Sequence, residues 1–458
     1  MKARRLAEML LTRSRMSFLA IRVSNTAFRG FGGPQAMVAI EGVIDDISRY
    51  LGKDPLEVRK CNLYRQEDGR NITHYGQKVE QIVLPEIISR LEASSRYRDR
   101  RKEIEIFHDS QTVFRKGLAL TPVKFGISFV TTHLNQAGAL VHVYSDGSIH
   151  LNHGGTEMGQ GLFVKVAQVV AEEFKVDVST IHVSAARTDK VPNTSPTAAS
   201  SSSDLYGMAA RDAVTKIKTN MKAFATDHFG VSESDVRFEQ SQVWAGDHKL
   251  TFVEFAHMAY MNRICLSATG YYSTPGIYYD RNTGSGHPFF YYANGAAVSE
   301  VLVDVLTGEY RVLRVDVISD VGQSINPALD IGQIEGGFIQ GMGWLTTEEL
   351  VWGENGRLLT ISPANYKIPA IADTPPQFNV ELFPSSPNPS ATIYHSKGVG
   401  EPPLMLAISV WAAIRDAVSS LDDYRVSPQL DTPATPERVL WAIQDTLKAG
   451  RVRHAPMD

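Results

Sequence analysis

Cysteine is nearly absent from this 458-residue sequence: there are two, Cys61 and Cys265. Two thiols cannot build a disulfide scaffold, an iron–sulfur ligand set or a cysteine-rich zinc site. Their scarcity fits a reducing compartment, and a cytoplasmic protein is expected. Neither sign of charge is in excess, with 46 Lys+Arg against 50 Asp+Glu. Without a basic surplus to displace counterions, nucleic acid is not an expected partner. Long hydrophobic runs are missing too. Leu404–Ile414 is too short to span a bilayer, and the longest charge-free stretch, 125–145, is broken by His133, Asn135, Gln136, Gly138 and His142, so no membrane partner is expected. What remains is an ordinary apolar share, 43%, in a chain long enough for two to four domains and a sizeable core.

The first residues carry Lys2, Arg4, Arg5, Arg13, Arg15 and Arg22 against Glu8. With no continuous apolar stretch or small-residue cleavage site after them, they read as a solvated helix rather than a targeting signal. Further on, Ile40, Val43, Ile44, Ile47 and Leu51 form one stripe at helical spacing. A charged connector, 93–116, contains the run Arg96–Lys102, reads as a solvated helix face, and marks the best seam between domains. From Gly117 the pattern turns to strands. Asp146-Gly147 and Thr307-Gly308 sit between apolar runs as hairpin turns, while Leu205, Ala209, Ala213, Ile217 and Met221 recur at helical spacing. Strands and helices in this irregular order imply an α+β (mixed α/β) fold rather than a barrel.

Four loops rich in glycine and small polar residues each run into an apolar helical pattern. Phe28-Arg-Gly-Phe-Gly-Gly-Pro-Gln35 ends on a proline at a helix start, where free N–H groups and a positive dipole end favour an anion. An empty helix-entry turn explains it equally well. In His153-Gly-Gly-Thr-Glu-Met-Gly-Gln-Gly161, Gln160 offers donor and acceptors suited to the edge of a heterocycle. The nearby pair His150 and His153 lies on a strand and turn with no third ligand close in sequence, so no metal site is read there. Asn193–Asp204 gathers hydroxyls before a helix; it lacks the G-x-S-x-G elbow of a serine nucleophile, and only labelling by a serine-directed probe would support a hydrolase. The fourth loop, Lys397-Gly-Val-Gly-Glu-Pro-Pro403, wedges Glu401 between a glycine turn and two prolines. There it could serve as a general base or as a plain helix cap.

Taken in order, these loops resemble the molybdenum hydroxylase family, in particular the molybdopterin-binding subunit of its xanthine dehydrogenase branch. The likeness rests on Ser24–Gln35, Lys124–Phe129, Leu134–Ala139, Gly154–Gly161, Ser195–Ser200, Asp330–Gly336 and Gly398–Pro403, collinear over nearly the whole chain. The resemblance implies a molybdenum–molybdopterin cofactor held by main-chain amides and by Gln160, with no protein side chain on the metal. It places the backbone at Phe28 and Arg29 and the stretch Ala198, Ala199 and Ser200 against that cofactor. It sets Phe31 and Phe129 on the two faces of a flat substrate ring and makes Glu401 the base. The implied reaction hydroxylates hypoxanthine or xanthine to uric acid. Electrons would leave through [2Fe-2S] and FAD centres on a partner polypeptide to NAD, so a hetero-oligomer is expected.

Under the same resemblance residues 1–115 are the remainder of a first molybdopterin-binding domain plus the connector, 116–445 are the second such domain, and 446–458 are a loose tail. Two departures stand out. The family's segment ahead of the Phe28–Phe31 motif supplies another cofactor-contacting glutamine, plus a glutamate and an arginine for the purine. It has no counterpart before Ser24, so a truncated or split subunit is expected. Val130 follows Phe129 where many members have threonine. The shared loops specify the cofactor better than the substrate, which leaves an aldehyde or other N-heterocycle oxidase, or an inactive fragment, as alternatives.

Overall fold

Along the strand Phe114–Ile127, Leu118 and Leu120 point into one apolar core and Ala119 and Val123 into another. This alternation marks a strand buried on both faces. It pairs antiparallel with Tyr291–Asp304, which pairs antiparallel with Tyr310–Asp320, and a parallel edge strand, Gln377–Leu382, completes the sheet. Helices cover both faces. Pro327–Thr346, Ile408–Ser419 and Pro436–His454 pack on one side, and Pro55–Cys61, Leu84–Ser94 and Tyr97–Ser110 on the other. A second four-stranded sheet, ordered Ile181–Val183, Ile149–His153, Gln136–Val143, Ser267–Ser273, carries the helices Leu162–Phe174 and Ser202–Phe229 on a core of its own. The computed structural model describes residues 27–190, 194–384 and 387–454. The basic segment read as a solvated helix, and Asn193, lie outside these residues.

Both hairpins form where turn chemistry places them, with Gly147 at φ 81° and Gly308 at φ 76°. The fold is mixed α and β, with no closed barrel among the described residues. Other expectations are corrected. The apolar stripe of the helix Gly33–Leu51 faces outward: Ile40 is 53% exposed, Val43 46% and Ile47 43%. Its inward face carries Glu41 and Asp45, both paired with Arg59 at 2.6 and 2.9 Å. The charged run has a solvated face, with Arg96, Arg98, Asp99 and Lys102 exposed, but the helix Tyr97–Ser110 also has an inner one, where Arg100 is buried against Glu300 and Asp316 and Arg101 reaches Asp416. Residues 446–454 continue the last helix rather than trailing off, and the buried Thr446 hydroxyl donates to the Ala442 carbonyl. Among the described residues one stretch, Pro402–Asp422, is long and apolar enough to cross a membrane, and it is buried in the core that takes Ala119 and Val123.

Candidate active site

Glu401 is the N-cap residue of the short helix Pro402–Leu406, yet its carboxylate makes no capping bond. Pro402 and Pro403 remove the first N–H groups such a cap would use. The carboxylate turns instead to two other loops. Oε1 accepts from the Gly30 N–H at 3.2 Å, and Oε2 accepts from the Ser200 hydroxyl at 2.9 Å. The same hydroxyl accepts from the Glu401 N–H at 2.9 Å. Burial pushes the Glu401 carboxyl above its usual range, and the donors at Ser200 and Gly30, with the charge of Arg29, pull it back only in part. A carboxylate whose proton affinity is raised this way is a better general base than a solvated one.

Arg29 fastens the first loop to the fourth. Its Nε donates to the Gly400 carbonyl at 2.5 Å, Nη1 to Gln340 Oε1 at 3.1 Å, and Nη2 to the Gln333 carbonyl at 3.4 Å. The second and third loops are joined where the Thr156 N–H donates to Thr197 Oγ1 at 2.8 Å. All four glycine- and hydroxyl-rich loops are therefore linked, through residues as far apart in sequence as Arg29 and Gly400. Phe31 at φ 46°, Ala199 at φ 56° and Ser200 at φ 56° hold left-handed backbone conformations that non-glycine residues rarely adopt.

Most residues singled out from sequence meet at this junction, though not in the poses first expected. Gln160 is folded onto its own loop, Oε1 accepting from the Met158 N–H at 2.5 Å and Nε2 donating to the Thr156 carbonyl at 2.7 Å. Glu157 caps the following helix, accepting from Gly159, Gly161 and Phe163 N–H groups that hold its carboxyl below the ordinary value despite burial. The Phe28 carbonyl accepts the Phe31 N–H at 2.8 Å, and the Phe31 ring is 74% exposed. Phe129 is clamped by Asn135, whose side chain bonds both its N–H and its carbonyl at 2.8 and 2.9 Å. His150 stacks on His142 at 5.8 Å, whereas His153 packs against Phe163 and Tyr206, so the two histidines do not converge.

Sequence reasoning missed the bracing of Arg29 by Gln333 and Gln340. Gln333 lies inside the Asp330–Gly336 string, but nothing local shows what it faces. It also missed that Ser200 serves Glu401 directly. The signal was present in the run of small residues, which lets the two backbones approach. A Cβ at Gly398 would collide with the Ser200 carbonyl.

These features fit a large, oxygen-rich, amide-seeking prosthetic group. The Ala199 and Ser200 N–H groups have no acceptor among the described residues and stand in succession before a helix, an arrangement that binds anions. Gly32 and Gly159 border open space, so a ligand can approach the backbone there. Among the described residues no cluster of histidine, cysteine or carboxylate side chains is arranged to ligate a metal.

Comparison with known proteins agrees with this picture. Two family models, each described as a molybdopterin cofactor-binding domain, match residues 90–375 and 17–63. The sequence is 44% identical over 93% of the chain to a protein named xanthine dehydrogenase from Oryza sativa subsp. japonica. It is 46% identical over 92% to xanthine dehydrogenase/oxidase from Gallus gallus. The chain spans about 30% of the length of each. Among solved structures, quinoline 2-oxidoreductase from Pseudomonas putida 86 superposes with a TM-score of 0.77 at 25% identity, over 92% of this chain and 53% of that one. Aldehyde oxidoreductase from Desulfovibrio gigas gives 0.73 at 26%, over 91% and 42%.

Proposed function

Because this chain belongs to the molybdopterin cofactor-binding domain family, we propose that it forms part of a molybdenum hydroxylase that oxidises purines, hypoxanthine or xanthine, to uric acid. The observation that carries the reading is Glu401. It is a half-buried acid with raised proton affinity, freed from capping by two prolines and held by donors from two loops that also offer main-chain amides to a ligand. The purine assignment leans on the xanthine dehydrogenase and the xanthine dehydrogenase/oxidase that are 44% and 46% identical to it over 92–93% of this chain.

The backbone at Phe28 and Arg29, the Ala198, Ala199 and Ser200 amides, and Gln160 would hold molybdopterin. When bound, that cofactor supplies the two-electron oxidant and the centre of oxygen transfer. Glu401 Oε2 takes up the proton released in the reaction, and Ser200 and Gly30 fix the direction from which it is received. Phe31 and Phe129 flank the flat ring of the substrate, where apolar faces ask for no polar desolvation. To reach the cofactor Gln160 would exchange its bonds to Thr156 and Met158 of its own loop. Two cysteines are too few for an iron–sulfur cluster within these 458 residues; electrons would pass to iron–sulfur and FAD centres outside them and then to NAD, and a partner polypeptide in a hetero-oligomer is the arrangement proposed. Two exposed free thiols, Cys61 and Cys265, suit the reducing cytoplasm.

The test is the assembled protein, with molybdenum content and xanthine oxidation measured together. Glu401→Gln should lower turnover about 10²–10⁴-fold, the usual worth of a positioned base, while molybdenum content stays at the wild-type level. Full activity in that variant would remove Glu401 from the chemistry. Turnover of an aldehyde without turnover of xanthine would replace the substrate class.

A further inference from the structure

Two of the loops that hold Glu401 are tied together a second time, through a buried pair that the proposed chemistry does not use. Tyr291, at the start of its strand, accepts a hydrogen bond from the Gly398 N–H at 2.8 Å and donates one to Asp204 Oδ2 at 2.7 Å. Asp204 sits in the first turn of the helix Ser202–Phe229, close after Ser200, and Gly398 lies just before Glu401. Both Tyr291 and Asp204 are buried. Where the two loops pass, Gly398 is pressed on the Ser200 carbonyl and Cβ so closely that no side chain fits. The Ser200 hydroxyl then bonds the Glu401 carboxylate and its N–H.

These contacts close a circuit: Glu401 to Ser200, along the chain to Asp204, across to Tyr291, and back through Gly398 to Glu401. Asp204 is faced by Tyr291, by the Lys165 ammonium, by Tyr272 and by the Ile393 N–H, and Lys165 is itself paired with Asp330. Among these neighbours Tyr291 is the one that also bonds Gly398, so the Asp204 carboxyl reaches the Gly398–Glu401 loop through its Oδ2 bond to the Tyr291 hydroxyl. Because the carboxyl is buried, losing the Tyr291 bond would leave a polar group without water to replace it.

We propose that Asp204 and Tyr291 are positioning residues for Glu401, holding the Gly398–Glu401 loop against Ser200 so that the carboxylate keeps its two donors. The inference rests on Glu401 being the base, but its test does not need the reaction. Hydrogen–deuterium exchange on the chain reads the Gly398 and Glu401 amides directly. Y291F deletes both bonds of the hydroxyl, D204A deletes the acceptor, and D204N keeps an acceptor oxygen. In Y291F and D204A both amides should exchange about five- to tenfold faster, the worth of one ordinary hydrogen bond, while D204N should exchange like the wild type.

Faster exchange at Gly398 with Glu401 unchanged would mean that Tyr291 merely satisfies one amide, and the proposal would fall. It would fall equally if D204N behaved like D204A. Protection at Val298, in the first core, reports folding, and if Y291F loses it the D204A arm alone decides. In the assembled, molybdenum-loaded protein Y291F should lower kcat about tenfold with KM unchanged, the signature of a group acting only on the chemical step. Full activity of Glu401→Gln would reject the base and leave the exchange result standing. Unchanged Glu401 exchange would reject the positioning role and leave the base standing.

Discussion

At the scale of single residues, the site is organised by what two carboxyl groups cannot reach. Pro402 and Pro403 take away two of the N–H groups near Glu401, the Leu404 N–H goes to the Glu401 main-chain carbonyl, and the carboxylate bonds across to Gly30 and Ser200 instead. Asp204 stands in a helix first turn, where an acid is ordinarily solvated and ionised. Here burial pushes its pKa up to about 7, with the Tyr291 hydroxyl and Lys165 drawing it back only partly. The linkage has a definite sign. Below about pH 4 both folded and unfolded forms carry the proton. Between about 4 and 7 the unfolded chain loses it while the folded chain keeps it, so stability falls as pH rises through that window. Asp204→Asn has no proton to lose there. Its stability relative to wild type should therefore rise between pH 4 and 7, by on the order of 3 kcal/mol. Urea unfolding at a series of pH values measures this, and a difference independent of pH would show that Asp204 is ionised in the folded protein.

At the scale of elements, local chemistry and long-range contact part company. The hairpins at Asp146-Gly147 and Thr307-Gly308 were legible because a turn is decided by the residues in it. The Ser202–Phe229 helix was legible because its apolar side is its buried side. The helix Gly33–Leu51 could not be oriented from sequence. Its buried face is defined by Arg59, which joins Glu41 and Asp45 from another helix, and by Arg415 and Asp416, more than 350 residues away along the chain. Periodicity reports that a helix has two faces, but not which one is covered. The stability consequences are opposite to those of an ordinary amphipathic helix. Ile40→Lys, Val43→Glu and Ile47→Lys should each shift unfolding free energy by no more than about 0.5 kcal/mol, as half-exposed positions do. Arg59→Met strands two buried carboxylates and should cost about 3–5 kcal/mol. Chemical denaturation of the four variants compares them directly, and a large loss at Ile47 would mean that this face is packed in solution.

At the scale of the whole molecule, the candidate site lies where the two sheet units meet. The helix starts at Gly33 and Ser202, the loop before Leu162 and the turn before Pro402 come from both units and are bonded into one chain of contacts. From sequence each loop could be recognised as a helix entry able to approach a ligand, and the collinear resemblance to a known family supplied their common purpose. Their joining could not be read, because Ser200 and Glu401, or Arg29 and Gly400, are neighbours only after both cores have formed. A site assembled in this way should respond as a unit. Removing molybdopterin from the assembled protein should raise amide exchange together at 28–31, 156–161, 198–200 and 398–401. The small three-stranded meander of Val236–Glu239, Gln242–Ala245 and His248–Thr251, remote from these loops in the fold, should not change. Binding at a hundredfold over Kd contributes about 2.7 kcal/mol to the folded state. Shared over contacts that are already linked, that energy protects all four segments to a similar degree. A response confined to 156–161 would mean that the cofactor rests on one loop alone, and that the bonds from Glu401 to Gly30 and Ser200 serve the fold rather than the chemistry.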